Sequence, residues 1–344
     1  MRMHKNILIV ALFLTSFTLQ AQTVIGKYAG EFLAIGVGGR ALGMGGSFTA
    51  IANDVTSGYY NPAGLANLNY PQVSLMHDER FGNLVNYNYA AVAFPYAEKW
   101  SFGLSIMRLG VDKIYDTREA LVDRNTGKVI YDITLPSARI DPSLIKEVSN
   151  QDWAFYFSGA KRHSDKFYYG ANVKIIKRNI AEVSAFGIGF DLGALYMPSE
   201  DLVLGANLQD ATTTFVSWST GLNELITPTL KVGAAYGVNI LGGRLLPAVD
   251  FDIRFENRRF ASQFNVGPVS LDPHLGVEYN FKNLFAIRGG YNDIKQFTVG
   301  AGVKLPKLNI DYSFARFTMS EEDRLPDTHR ISLILTLEEA RFRR

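Results

Sequence analysis

The chain has 344 residues and a nearly balanced charge, with 35 Lys and Arg against 33 Asp and Glu and a formal net charge of +2. A balanced charge provides no field that would attract nucleic acid, so a nucleic-acid partner is excluded. The absence of cysteine excludes a disulfide scaffold, a thiolate metal site and lipidation at an N-terminal cysteine. With 47% hydrophobic residues, the chain is also too apolar to be disordered.

Residues 1–22 have the pattern of a secretory signal peptide. A basic start precedes the apolar run 7–14, and cleavage is predicted near Ala21. The alternatives are a core helix or a retained anchor, but a spanning helix needs about 20 apolar residues and this run is shorter. Export is therefore predicted.

From residue 71 onward the chain alternates with period two. In the segment 296–305, apolar residues alternate with small or polar ones, and the segments 185–196 and 271–282 repeat the pattern. The pattern predicts about fourteen strands, an even number as in single-chain bacterial membrane barrels. Their predicted positions are 71–80, 84–97, 100–112, 151–164, 166–180, 183–198, 202–217, 226–241, 244–258, 270–282, 284–293, 296–306, 307–318 and 327–338.

The connections between these strands alternate between short and long. Tight turns follow the even-numbered strands, and long connections such as 113–150 follow odd-numbered ones. This alternation is typical of a transmembrane antiparallel up-and-down β-barrel with tight periplasmic turns and longer outer loops. A soluble β-sandwich or propeller is the alternative, but strands of ten or more residues exceed the usual soluble length and suit a tilted membrane crossing. We therefore predict an all-β outer-membrane barrel over residues 71–338.

The cost of a charge on the lipid face predicts which side chains point into the barrel. A Lys or Arg near the bilayer midplane costs about 2 to 4 kcal/mol when it faces lipid. A structural salt-bridge network that fills the lumen is the favoured interpretation, with a substrate path as the alternative. The charged residues predicted to face the lumen are Lys174, Asp191, Lys231, Asp250, Asp252, Arg254, Glu278, Arg288 and Lys304.

Residues 23–70 break the strand pattern and are predicted to form a hatch or plug. The stretch 36–46 is too rich in glycine for a regular strand. Its likeness to a dinucleotide fingerprint is rejected, because the following segment is too short for a crossover helix. Glycines let backbone pass close to a barrel wall. Asn61 and Pro62 predict a short capped helical turn before the first strand.

The N-terminal residues resemble the signature of the PorV/PorQ family, which is similar in fold to FadL-like outer-membrane transporters. The resemblance covers about 45 residues, from the run 31–50 through the pair Asn53 and Asp54 to Asn61-Pro62-Ala63-Gly64-Leu65. It implies a fourteen-stranded barrel with an N-terminal hatch. The residues to which it assigns a hatch role are Gly36, Gly38, Gly39, Arg40, Gly43, Gly45, Gly46, Asn53, Asp54, Asn61 and Pro62.

No motif of a catalytic or metal site is found. The four histidines after residue 22 lie in no nucleophile or zinc motif, so no enzyme activity, metal or cofactor is predicted. His274 faces the lumen in the predicted register, and the carboxylates of Asp250 and Asp252 could bind a cation, although a structural lumen role is favoured. The outer loop 113–150 contains a hairpin that is the best candidate for a partner contact or lid. Residues 339–344 form a charged tail.

Two functions follow from the resemblance. Some members of the PorV/PorQ family serve type IX secretion, so the leading hypothesis is a non-enzymatic outer-membrane protein of a Gram-negative bacterium that acts in export or surface attachment of proteins. Its predicted partners are outer-membrane lipid or lipopolysaccharide and secretion-system components or exported cargo. The alternative is a FadL-like passive channel for hydrophobic small molecules such as long-chain fatty acids.

Overall fold

The computed structural model describes residues 23–25, 30–80, 82, 84–255, 262–318 and 327–344. The predicted signal peptide, residues 1–22, lies outside the described residues. Within them, no helix has the length and apolar content that a membrane crossing requires.

In the described part of the chain, fourteen antiparallel strands form one closed barrel, which confirms the predicted fold class. The ring closes where the last strand pairs with the first, with Gln72 opposite Thr336 and Glu79 opposite His329. Closure pairs the backbone groups of the first and last strands with each other. The strands are β1 (Gln72–Arg80), β2 (Val85–Tyr96), β3 (Trp100–Asp116), β4 (Lys146–Arg162), β5 (Phe167–Ile180), β6 (Val183–Tyr196), β7 (Leu202–Gln209 and Thr214–Trp218), β8 (Asn223–Ile226, Thr229–Tyr236 and Val238–Ile240), β9 (Gly243–Arg254), β10 (Val269–Phe281), β11 (Phe285–Tyr291), β12 (Gln296–Leu305), β13 (Leu308–Phe317) and β14 (Thr328–Thr336).

The connections sort the barrel into two ends. Those after β2, β4, β6, β8, β10 and β12 are tight turns, and several contain a residue with positive φ, such as Ala97, Leu241 and Lys307. Because neighbouring strands are antiparallel, all these turns lie at one end, here called the tight-turn end. The opposite long-loop end carries the connection between β3 and β4, which contains a small sheet of Leu121–Asp123 and Ala138–Ile140.

Strands β7 and β8 are interrupted where the sequence predicts continuous strands. Asp210 and Thr213 have positive φ and form a turn within β7, and the backbone N–H of Asp210 is bonded to the side chain of Asp191. On the facing strand β8, the break opposite this turn falls at residues 227–228, and a second break falls at Gly237. Pro228 there has no N–H to give to the ladder. The break therefore has a local cause in β8 and a tertiary cause in β7.

The wall is apolar outside and mixed inside. The apolar side chains that alternate outward are exposed, among them Ile287 and Phe297. Aromatic rings gather near the tight-turn end, where Trp100 stacks on Phe102 with ring centroids 6.3 Å apart and Tyr96 lies beside them. This placement suits an interfacial aromatic belt.

Residues 30–71, here called the inner segment, lie inside the ring of strands. The segment contacts inward-facing residues of strands all round the ring, from β1 to β14, and most of its residues are buried. Its helical turns are Glu31–Ala34, Gly39–Gly43, Ser57–Tyr60 and Pro62–Asn67. The short strand Thr23–Ile25 precedes it and pairs in parallel with β8 at the long-loop end. The chain therefore crosses the barrel before β1 begins at the tight-turn end.

Candidate functional site

The lumen is the candidate site, and polar contacts attach the inner segment to β9 and β10. The carboxylate of Asp250 on β9 accepts hydrogen bonds from the backbone N–H groups of Phe48 and Thr49, at 2.8 and 2.7 Å. On β10, Nδ1 of His274 lies 2.8 Å from the carbonyl oxygen of Gly45. These contacts fix the turn around residues 45–49 to the wall, because they satisfy backbone groups that are buried away from water.

A network of ion pairs attaches the inner segment to β10, β11 and β13. Arg40 donates two hydrogen bonds to the carboxylate of Glu278, at 2.9 and 3.0 Å, and a third to Asn53. Arg288 donates to the same Glu278 carboxylate at 2.6 Å and to Asp311 at 2.7 Å. Two guanidinium groups thus surround one buried carboxylate, an arrangement that compensates its desolvation.

Aromatic packing attaches the inner segment to β2, β3 and β4. Tyr59 contacts Tyr156 of β4 edge to face, with ring centroids 6.1 Å apart. Tyr87 of β2 and Met107 of β3 are fully buried in the same apolar cluster. The hydroxyl of Tyr60 donates to the carbonyl of Val37 within the inner segment. This half of the lumen is therefore a hydrophobic core.

Inward-facing glycines of the wall allow the inner segment to lie directly against the strands. A Cβ added to Gly276 of β10 would come within 2.5 Å of the carbonyl oxygen of Met44. A Cβ added to Gly170 of β5 would lie 2.7 Å from the backbone nitrogen of Ala63. Any larger residue at these positions would push the inner segment away from the wall.

The residues of the predicted hatch motif lie in the inner segment and are mostly buried. Gly36, Gly38, Gly45 and Gly46 have positive φ, which forms the compact turns. The side chain of Asn61 accepts a hydrogen bond from the N–H of Ala63 and precedes Pro62, as the sequence predicts for a capped turn. Further motif contacts are Gly39 N to Ser332 Oγ at 2.8 Å, Asp54 Oδ1 with Thr56, Asn61 Nδ2 to the carbonyls of Thr49 and Ala194, and Gly43 O with Thr298 Oγ1 at 3.0 Å.

The charged residues expected in the lumen lie on the inner face of their strands. Lys174 forms ion pairs with Asp191 and Asp210, at 2.9 and 2.7 Å. Lys304 differs from the rest, because it is exposed at the tight-turn end, where it donates to Asn283. The other ion pairs are Lys231 with Asp252, Arg254 with Asp252 and Asp272, and Arg288 with Glu278 and Asp311.

Two further ion pairs between inward-facing residues, one buried and one partly buried, were missed at the sequence level. Arg330 of β14 donates to Asp78 of β1 at 3.0 Å, across the seam that closes the barrel. Arg178 of β5 pairs with Asp152 of β4 at 2.8 Å. The signal was present, because Arg330 alternates with the outward Ile331 and must therefore point inward.

A cavity of about 920 Å³ opens in the lumen at the tight-turn end. Its apolar part is formed by Ile51 of the inner segment, Val203 of β7 and Leu246 of β9, and its polar rim includes Arg244 and Lys282. Arg40 and Glu278 line it from the side of the ion-pair network. A concave, largely apolar space with a few polar groups suits a small hydrophobic molecule.

The loop between β3 and β4 carries the hairpin region that the sequence marks as a partner contact or lid. Asp123 accepts hydrogen bonds from the N–H groups of Asn125 and Thr126 and from the hydroxyl of Ser137. These bonds, the one from Ser137 first, hold the pKa of the Asp123 carboxyl below its usual value. Tyr131 on the same loop is exposed. The loop is thus ordered by its own polar contacts.

Comparison with known proteins relates the chain to a family model and to solved barrels. Residues 8–130, less than half of the chain, match the model of an uncharacterised protein family, UPF0164. No curated protein matches the sequence. The solved structures include the toluene transporter TbuX of Ralstonia pickettii, with 15% identity, a TM-score of 0.57 and coverage of 88% of this chain and 98% of that one.

Two other solved structures share the fold. A FadL homologue of Pseudomonas aeruginosa has 13% identity and a TM-score of 0.53, covering 87% of this chain and 98% of that one. The CymD monoaromatic hydrocarbon channel has 13% identity and a TM-score of 0.60, covering 89% and 98%. The chain therefore has a FadL-like barrel fold. The finer likeness to PorV/PorQ remains a resemblance of its N-terminal residues.

Proposed function

We propose that this protein is a passive channel for hydrophobic small molecules in the outer membrane of a Gram-negative bacterium. The observation that carries the proposal is the apolar-lined lumen cavity beneath the inner segment, in a barrel whose fold is similar to hydrocarbon channels. The lipid around the outward face is then the protein's permanent partner. The hydrophobic molecule is its transient one.

In this proposal the inner segment acts as a hatch. Its polar attachments to β9 and β10 are made through single side chains, such as Asp250 and His274. Its aromatic attachment to β2–β4 is a continuous core that would be costly to separate. A passing molecule would therefore displace the side of the inner segment that faces β9 and β10.

The experiment is uptake of radiolabelled toluene and oleate by cells that carry the protein in their outer membrane. Val203→Trp and Leu246→Trp fill the cavity with large side chains and should lower uptake severalfold without loss of the folded barrel. Leu204→Trp, on the outer face of the same strand, is the matched control and should leave uptake unchanged. Equal uptake by all three variants would contradict the proposal.

The secretion role stays a prediction from the PorV/PorQ resemblance. Secretion is named for none of the three solved structures described above. A deletion strain that secretes and anchors its exported cargo normally would remove this second candidate. If the deletion strain fails to secrete and anchor its cargo while its hydrocarbon uptake is intact, the channel proposal is wrong and the secretion role is supported instead.

A further inference from the structure

We propose that the lumen contains a binding site for a divalent transition-metal cation of the Zn²⁺ class, formed by Asp252, His274 and Asp293. The three side chains belong to β9, β10 and the connection between β11 and β12. Each offers a ligand atom, and these atoms lie within 4.8 Å of one another. Two carboxylates and an imidazole are ligands that Zn²⁺ accepts, with a fourth position left for water.

The hydrogen bond of His274 sets which of its nitrogens could bind a metal. Nδ1 lies 2.8 Å from the carbonyl oxygen of Gly45, and a carbonyl only accepts, so Nδ1 carries the hydrogen. The lone pair of the neutral ring is then on Nε2. Metal-binding histidines commonly donate their other N–H to a backbone carbonyl in this way, which orients the ring.

Nε2 of His274 is a buried atom without a hydrogen-bond partner among the described residues. Its ring is nine-tenths buried, and Nε2 is 3.5 Å from Oδ2 of Asp252. A lone pair that faces two carboxylates is repelled by them. A cation between the three groups would remove the repulsion and occupy the unused nitrogen.

The charges around the site leave room for a cation. Among the described residues, the carboxylates of Asp252, Asp272 and Asp293 face the cations Lys231 and Arg254, and the carboxylate of Asp250 lies on β9 directly opposite His274. Counted with a neutral His274, these four carboxylates and two cations carry two negative charges more than positive. A bound divalent cation would cancel that excess, whereas a proton on His274 would cancel only half of it.

Lys231 competes with the metal for Asp252. Its ammonium group is in close contact with Oδ2 of Asp252, but its side chain is 19% exposed and flexible enough to withdraw into the lumen. The competition makes a distinct prediction. Lys231→Gln should bind Zn²⁺ more tightly than the natural protein, because it removes a positive charge without removing a ligand.

The site would fasten the inner segment to the wall. His274 connects the metal to the turn at Gly45, so a bound cation would hold that turn against β10. The sequence carries no zinc motif, because the ligands come from three separate strands and connections. Only the closed barrel brings them together.

The test is isothermal titration calorimetry of the purified, chelator-treated barrel with Zn²⁺. The natural protein should bind about one Zn²⁺, and His274→Gln and Asp293→Asn should each weaken binding at least about tenfold, which is 1.4 kcal/mol. Asp311→Asn is the matched control, because Asp311 is a lumen carboxylate outside the three ligands. It should bind Zn²⁺ like the natural protein.

Gel mobility before and after heating verifies that each variant is a folded barrel. With Co²⁺ in place of Zn²⁺, a visible absorption band should appear and should be lost in His274→Gln. Absence of Zn²⁺ binding in both the natural protein and Lys231→Gln would overturn the proposal. Equal binding by the natural protein, His274→Gln and Asp293→Asn would overturn it as well, since the metal would then lie elsewhere.

Discussion

The two halves of the lumen hold the same inner segment by different physical means. On the side of β2–β4, tyrosine and methionine side chains pack against it in a continuous apolar cluster. On the side of β9–β13, carboxylates, guanidinium groups and an imidazole bind it through directed contacts. The stability that packing contributes falls in proportion to the side-chain volume removed, whereas a hydrogen bond or ion pair is lost when one atom is removed. The apolar half should therefore determine stability, and the polar half should determine whether the segment can move.

The largest effect is expected from Tyr87→Ala on the apolar half. Tyr87 is fully buried, and loss of a buried aromatic side chain costs about 3 to 5 kcal/mol in the free energy of unfolding. Urea unfolding of the barrel in lipid bilayers measures this loss. The matched control is Tyr87→Phe, because the Tyr87 hydroxyl has no hydrogen-bond partner among the described residues. A Phe variant as unstable as the Ala variant would contradict the apolar account.

A smaller effect is expected from Asp250→Ala on the polar half. The substitution leaves the backbone N–H groups of Phe48 and Thr49 buried without their acceptor, at a cost of about 2 kcal/mol. Hydrogen exchange of those two amides should become faster while the barrel strands stay protected. Asp250→Asn keeps an acceptor oxygen and should show an intermediate rate. Unchanged exchange in Asp250→Ala would mean that the contact does not hold the segment.

The smallest effect is expected from Thr298→Val. It removes one hydrogen bond, from Oγ1 to the carbonyl of Gly43, and keeps the volume of the side chain. A net loss of about 1 kcal/mol is expected, measured by the same urea titration. Val299→Thr, on the lipid face of the same strand, is a neighbouring substitution without that contact. Faster amide hydrogen exchange across the whole barrel in Thr298→Val would show that the polar and apolar halves do not act independently.

The strands could be predicted from the sequence because their signal is local. A period of two needs only neighbours in the chain, so the predicted and observed bounds of most strands agree within a few residues. The exception in β7 depends on a distant residue, since the turn at Asp210 is bonded to Asp191 of β6. The interruption of β8 had a local signal in Pro228, but the prediction followed the alternating pattern and placed a continuous strand there.

The candidate site was only partly predictable. The alternation of apolar and polar residues showed which charged side chains face inward, because successive side chains of a strand point to opposite faces of the sheet. It did not show that Arg40 would reach Glu278 or that Asp250 would accept from Phe48, since those pairs join residues 238 and 202 positions apart in the chain. Alternation could have shown that Asp78 and Arg330 both face inward, but not that they form an ion pair, because that pair exists only where the barrel closes.

By itself, the sequence determined an even set of long amphipathic strands, the alternation of their turns and a glycine-rich segment that cannot be a strand. These properties depend on neighbouring residues and on the cost of exposing a charge to lipid. The tertiary structure alone decided that Asp250 accepts a hydrogen bond from Phe48 of the inner segment and that Asp252, His274 and Asp293 lie close together. Such contacts between residues distant in the sequence depend on the strand register around the ring, which follows from packing of the whole barrel.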